Sequence, residues 1–242
     1  MKKMLYRASV FISFFLILVP LESKAVVNQL YKLSSLQKQD LVKIVGSVPD
    51  ANISLYASEK EGNLGEFKLH ANGDSQFFPS WKNVSNPTYR PNLFYSDINQ
   101  DGKNELIIVL TTGYGTGIIL QEVHVLQKIK TNMGEIFKEV LVDNPMAIIL
   151  KNVQTKLTKS EAIINTLNKK TIIKLDKLGI KPDQLFSDIS MKNLIEYDIV
   201  NNKLTAIIGA QISPVGGYIG SFHITYTFKD KMYQVKKIEF IQ

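Results

Sequence analysis

Through much of the chain, apolar residues recur at every second position, the spacing of a strand that buries one face. Ile195, Tyr197 and Ile199 alternate with Glu196 and Asp198. After Asn201 and Asn202, Leu204, Ala206, Ile208, Ala210 and Ile212 line one face of a returning strand. Asparagine tolerates the positive φ that a tight hairpin turn demands, so this stretch predicts a hairpin. A last hairpin sets Ile224, Tyr226 and Phe228 against Tyr233 and Val235 across Asp230, Lys231 and Met232. There the apolar phase slips by one residue before Ile238 and Phe240, which predicts a β-bulge near Lys236 and Lys237.

Further strands are predicted at 52–57, 66–70 and 171–175, with turns at 59–65 and at Asn72, Gly73 and Asp74. The stretch 77–91 is aromatic and punctuated by prolines, and reads as an ordered loop with Trp81 as its packing anchor. Residues 160–167 fit helix and strand alike. Prolines in first-turn position predict short helices from Pro145 to Leu150 and from Pro182 to Phe186. Between 27 and 45 the spacing of Leu30, Leu33, Leu41, Ile44 and Val45, with Ser34 or Ser35 as cap, predicts one amphipathic helix closed by Gly46. The expected fold class is therefore α+β, predominantly antiparallel β in hairpins and meanders, with an N-terminal helix and a few short helices.

The first residues follow a different rule. Lys2, Lys3 and Arg7 precede an uncharged apolar stretch at 8–20, and small residues, Ser23 and Ala25, stand where a signal peptidase requires them. Residues 1–25 read as a secretory signal peptide, because the apolar stretch is shorter than the roughly 20 residues of a permanent span, with an uncleaved N-terminal anchor as the alternative. This changes the meaning of the charge. The formal charge is +7, from 29 Lys+Arg and 22 Asp+Glu; without residues 1–25 the numbers are 25 and 21, or +4. Arg90 is then the only arginine, and nucleic-acid recognition draws heavily on arginine, so that partner class is excluded. With 45% hydrophobic, 21% charged and no cysteine, the chain is globular and has neither disulfide nor thiolate chemistry. Export without cysteine fits a Gram-positive bacterium. A polar stretch at 128–134 suggests a division into 26–133 and 134–242, both β-rich, with one continuous domain as the alternative.

One segment carries chemistry. Asp97, Asn99, Asp101 and Glu105 occupy positions 1, 3, 5 and 9 of a loop with Gly102 at position 6. Calcium takes about six to eight oxygen ligands, and alternate residues of a tightly wound loop can all point inward. Gly102 permits the turn that aims the Lys103 carbonyl at the same centre. The expected metal ligands are thus Asp97, Asn99, Asp101, Lys103 and Glu105, with calcium as cofactor. Ile108 stands where a helix–loop–helix site needs a bidentate Glu, and both flanks read as strands. The loop resembles instead the Asp-x-Asn-x-Asp-Gly-x-x-Glu/Asp hairpin loop of FG-GAP and VCBS-type repeats in integrin-like β-propellers. The resemblance covers about fifteen residues and one copy, whereas a propeller needs at least about four blades, so it implies the ion and not the propeller. The surrounding run also resembles exported proteins of bacilli, from which no activity carries over.

Other motifs have simpler readings. Gly113, Gly115 and Gly117 follow an apolar strand, but another strand comes next and no helix N-terminus is there to hold phosphate, so a bulge or hairpin is expected. Gly216, Gly217 and Gly220 read the same way. Glu122 and His124 share a strand face and would need a third ligand to hold a transition metal. No serine stands in a hydrolase motif. The chain is expected to be a non-enzymatic calcium-binding protein, secreted or wall-associated, with an unknown protein or cell-wall ligand as partner and no membrane span after signal cleavage. The alternative is a secreted hydrolase whose cleft is bordered by 77–89 or by the loop at Gly113.

Overall fold

The computed structural model describes residues 42–242 except 133 and 168. The expected signal peptide and most of the expected helix at 27–45 lie outside the described residues. A first, five-stranded sheet is built from β1 (Lys43–Val48), β2 (Ile53–Lys60), β3 (Asn63–Ala71), β4 (Asp74–Phe78) and β5 (Asn83–Val84). An eight-stranded sheet follows. It contains β6 (Asn92–Ser96), β7 (Glu105–Gly115), β8 (Ile118–Thr131) and β9 (Gly134–Val140). After the helix α1 (Pro145–Asn152) and a three-stranded sheet of β10 (Gln154–Leu157), β11 (Glu161–Thr166) and β12 (Lys169–Lys174), the chain returns to the large sheet. There it adds β13 (Leu194–Val200), β14 (Lys203–Gln211), β15 (Tyr218–Lys229) and β16 (Met232–Ile241).

Nearly all pairings are antiparallel hairpins between neighbours in sequence. There are two exceptions: β5 pairs with β3, and a parallel pairing joins the two parts of the large sheet, where β13 lies along β8 through Leu194↔Ile119 and Ile195↔Leu120. The expected turns are where the pattern puts them. Asn201 and Asn202 have φ of 50° and 57°, and Asp230 and Lys231 have 51° and 64°. The β15–β16 register slips between Thr225↔Lys237 and Tyr226↔Val235, which makes Lys236 the extra residue of the expected bulge. Position 134 opens β9, and Gly134 pairs with Thr131 across the hairpin turn.

The α+β expectation is corrected. Of the described residues 62% are strand and 9% helical, with one helix of seven residues or more, so the fold is mostly β in three sheets. The stretch 43–45, expected to end the N-terminal helix, belongs to β1. Lys43–Val48 pairs with β2 from Lys43↔Ala57 to Val48↔Ile53, with an irregularity at Gly46. Ile44, Val45 and Val48 are β-branched and lose χ1 freedom in a helix, so a partner strand outweighs their helical spacing. Pro182 starts a single 3-10 turn, Pro182–Gln184, and not a helix to Phe186. The ambiguous stretch 160–167 becomes β11. Among the described residues only α1 survives as a helix, with the Asn144 side chain accepting the Ala147 amide at 3.0 Å and Ile148 and Ile149 facing the core. No helix among the described residues is long and apolar enough to cross a membrane.

Two hydrophobic cores meet at β7. Leu106, Ile108 and Leu110 pack with Leu55, Phe67, Leu69, Trp81 and Leu126 from the first sheet and β8. Ile107 and Val109 point the other way, into a core with Ile149, Ala162, Ile164, Ala206, Phe222 and Tyr226. The unbroken apolar run of β7 is thus the sequence of a strand covered on both faces. Ile107→Ala and Ile108→Ala are each expected to destabilise the fold by about 2–5 kcal/mol, although they face different cores. Phe77→Ser, at a position 69% exposed, should stay within about 0.5 kcal/mol. Urea titration of the three variants checks this contrast.

Candidate functional site

The acidic loop closes the β6–β7 hairpin, whose last pair is Ser96↔Glu105. Its two ends are anchored in the interior. Ile98 is buried in the core shared with β7, and Glu105, the first residue of β7, is only 1% exposed. Between them Asn99 is half-buried, and the tip from Gln100 to Asn104 is exposed. The turn depends on two left-handed residues, Gln100 at φ 68° and Gly102 at φ 85°. Gly102 adopts this conformation without the steric penalty that a Cβ brings.

The side chains of the predicted ligands organise the loop backbone. Asp97 accepts the amides of Gln100 (2.7 Å), Asp101 (3.1 Å) and Gly102 (2.9 Å). Asn99 Oδ1 accepts the Asp101 amide at 2.8 Å, and Asp101 Oδ1 accepts that of Lys103 at 2.9 Å. Glu105 reaches back to the loop start. It accepts the Ile98 amide at 3.1 Å, the Asn99 amide at 3.3 Å and Asn99 Nδ2 at 2.8 Å. The β13–β14 turn supports the outside of the loop, where Asn202 Oδ1 accepts the Ser96 hydroxyl at 3.1 Å.

The structure therefore brings Asp97, Asn99, Asp101 and Glu105 into one hydrogen-bonded unit. It does not make three acidic groups converge: among the described residues no group of three or more His, Asp or Glu side chains could hold a metal ion as placed. Among the described residues, none pairs as a cation with Asp97, Asp101 or Glu105. Burial, and to a lesser degree the charges of Asp101 and Asp97, push the Glu105 carboxyl above its ordinary value of 4.5, while the Ile98 and Asn99 amides pull the other way.

Tyr233 adds a group that the sequence pattern placed only in a core strand. It is 1% exposed; among the described residues no group meets its hydroxyl in standard hydrogen-bond geometry, and the Glu105 carboxylate lies close enough to act on it. Burial first, and the Glu105 carboxylate second, raise its pKa far above the ordinary value of 10.0. The only signal in sequence is a tyrosine among apolar strand residues. Its closeness to Glu105 comes from how β16 is laid down, across more than half the chain.

The remaining candidates resolve differently. His124 does not join Glu122 in a metal site. Its Nδ1 lies 2.6 Å from Glu139 Oε1 on the neighbouring strand, and its ring stacks on Trp81 at 4.2 Å. Trp81 in turn stacks on Phe78 at 3.9 Å and is the expected packing anchor. His124 Nε2 is buried without a partner. His70 and His223 each lie within hydrogen-bond distance of a serine hydroxyl, Ser75 at 3.2 Å and Ser221 at 3.1 Å. Gly113 sits at a register shift opposite Leu120, and Gly115 pairs with Ile118 at the hairpin end, so the glycine-rich segment is bulge and turn as expected. Two surface clefts of about 230 and 280 Å³ lie against β16, beside β12 and beside α1. Neither is lined by a histidine or by residues 77–89 or Gly113.

Because the folded state raises the Glu105 pKa, that state holds the proton more tightly than the unfolded chain does. The stability this contributes is full below about 4.5 and is lost as pH rises through the raised value. In EDTA, the stability of wild type relative to Glu105→Gln should therefore fall as pH goes from about 4 to 7. Denaturant titrations across that range measure it, and a relative stability that grows with pH would contradict the assignment.

In comparisons with protein-family models, with curated proteins and with solved structures, the chain matches none.

Proposed function

We propose that the loop from Asp97 to Glu105 binds calcium, and that the protein is an exported, non-enzymatic calcium-binding module of the cell surface or wall. The observation that carries this reading is the uncompensated charge of the loop. Three carboxylates lie within nine residues, at positions 1, 5 and 9, and none has a cationic partner among the described residues. Hard divalent cations favour oxygen donors of this kind. The amide bonds to Asp97, Asn99 and Asp101 do not use up the donors, since each carboxylate has about four lone-pair sites. The Lys103 carbonyl is the fifth proposed ligand, as in the FG-GAP and VCBS-type loops that this segment resembles. Glu105, which is costly to ionise inside the fold, would gain a counter-charge.

The ion would order the hairpin and stabilise the fold by binding the folded state alone. The export reading rests on the signal-like residues 1–25, and the partner is an unidentified protein or cell-wall ligand. At calcium about 100-fold above its Kd, the stabilisation is about 2.7 kcal/mol, or roughly 5–10 °C in Tm for a domain of this size. Adding EDTA to calcium-loaded protein should lower Tm by that amount, and Asp101→Ala should remove the shift. An unchanged Tm in EDTA would overturn the proposal.

A further inference from the structure

Lysines concentrate in one stretch of the chain, and the fold sets some of them on one face. Between 151 and 181 there are eight lysines against two acids, Glu161 and Asp176; elsewhere from 42 to 242 acids outnumber basic residues by 18 to 15. This span is the end of α1, the three-stranded sheet and the turn that follows. All eight lysines are exposed. Of these eight, Lys174 alone forms an ion pair with a described residue, Glu161.

The register separates the two faces of this sheet. Ala162, Ile164 and Ile173 point inward and are buried in the main core. The opposite face carries Lys156, Ile163 and Ile172 in one cross-strand row, and Asn165 with Lys170 in the next. Ile172 is 48% exposed there, and Leu167, at the tip of the β11–β12 hairpin beside Lys169, is 75% exposed. Cationic and aliphatic side chains thus share one outer surface.

We propose that this face docks the protein on an anionic lipid bilayer. Lysine ammonium groups on long stems meet headgroup phosphates, while short aliphatic groups between them enter the boundary of the acyl region. A soluble polyanion would satisfy the lysines but leave Ile172 and Leu167 in water, and a neutral apolar partner would leave the lysines unpaired. A negatively charged bilayer surface takes up both. The proposal rests on the reading above for the surface location and not for the calcium.

The chain has no cysteine, so Leu167→Cys in the full chain can carry a single environment-sensitive fluorophore, with Asn63→Cys on the first sheet as the reference position. The titration is run in EDTA, which removes calcium bridging and keeps this test separate from the melting experiment on the loop. Phosphatidylglycerol vesicles should shift the emission at 167 to the blue and leave that at 63 unchanged, phosphatidylcholine vesicles should do neither, and added salt should reverse the shift. Lys156→Gln with Lys170→Gln should weaken binding by about 30-fold, while the far-ultraviolet spectrum and Tm stay those of wild type. Vesicle association with no shift at 167 would place the contact elsewhere, for example on the apolar stretch at 8–20, and overturns the proposal. Lysine-dependent binding of polyphosphate, with no shift on vesicles, also overturns it in favour of a soluble polyanion.

Discussion

The two-sided burial of β7 is the constraint on which the rest of the fold depends. Five consecutive residues, Leu106 to Leu110, are at most 2% exposed, and they alternate between a core shared with the first sheet and one shared with α1, β11 and β12. A strand in this position cannot slip by one residue, because every side chain would then enter the wrong core. It holds β6 on one side and β8 on the other. Through β8 it also positions β9 and β13. The first sheet needs β7 as well, for it packs Leu55, Phe67 and Leu69 against the even-numbered residues of that strand.

The acidic loop inherits its geometry from the same strand. Glu105 is the last residue before the apolar run, so its carboxylate is fixed at the mouth of a rigid element. Ile98, buried from the other end, ties down the loop start. A short exposed tip is therefore suspended between two immobile points. Such an arrangement favours a few discrete turn conformations over a floppy excursion, and binding sites carried on rigid supports lose less entropy when occupied.

Local chemistry was readable wherever a single hairpin decides it. The Asn201–Asn202 and Asp230–Lys231 turns, the slip at Lys236 and the helix start at Pro145 all follow from residues a few positions apart. The spacing of Asp97, Asn99, Asp101 and Glu105 gave the loop, and the fold does join these residues by hydrogen bonds. Relations between distant segments were not readable. Ile44 and Val45 fit a helix until β2 is available as a partner. His124 next to Glu122 looks like half a metal site until Glu139 and Trp81 arrive from β9 and the loop after β4. Tyr233 gives no sign in sequence that it comes to rest near Glu105. The lysines of 151–181 could have been counted, but the face that Lys156 and Lys170 share with Ile163 and Ile172 exists only once the three strands pair.

The parallel pairing of β13 with β8 has a consequence for the order of events during folding. Most strands find partners within a hairpin, and such contacts form early because little chain entropy is lost in closing them. Leu194 and Ile119 meet only after β9, α1 and the three-stranded sheet have been passed over. Until that closure, β14 to β16 can form a meander of their own, with the core-facing side of β14 and β15 uncovered. The docking of β13 on β8 closes a far longer loop than any hairpin does, and loop length raises the chain entropy lost in forming a contact.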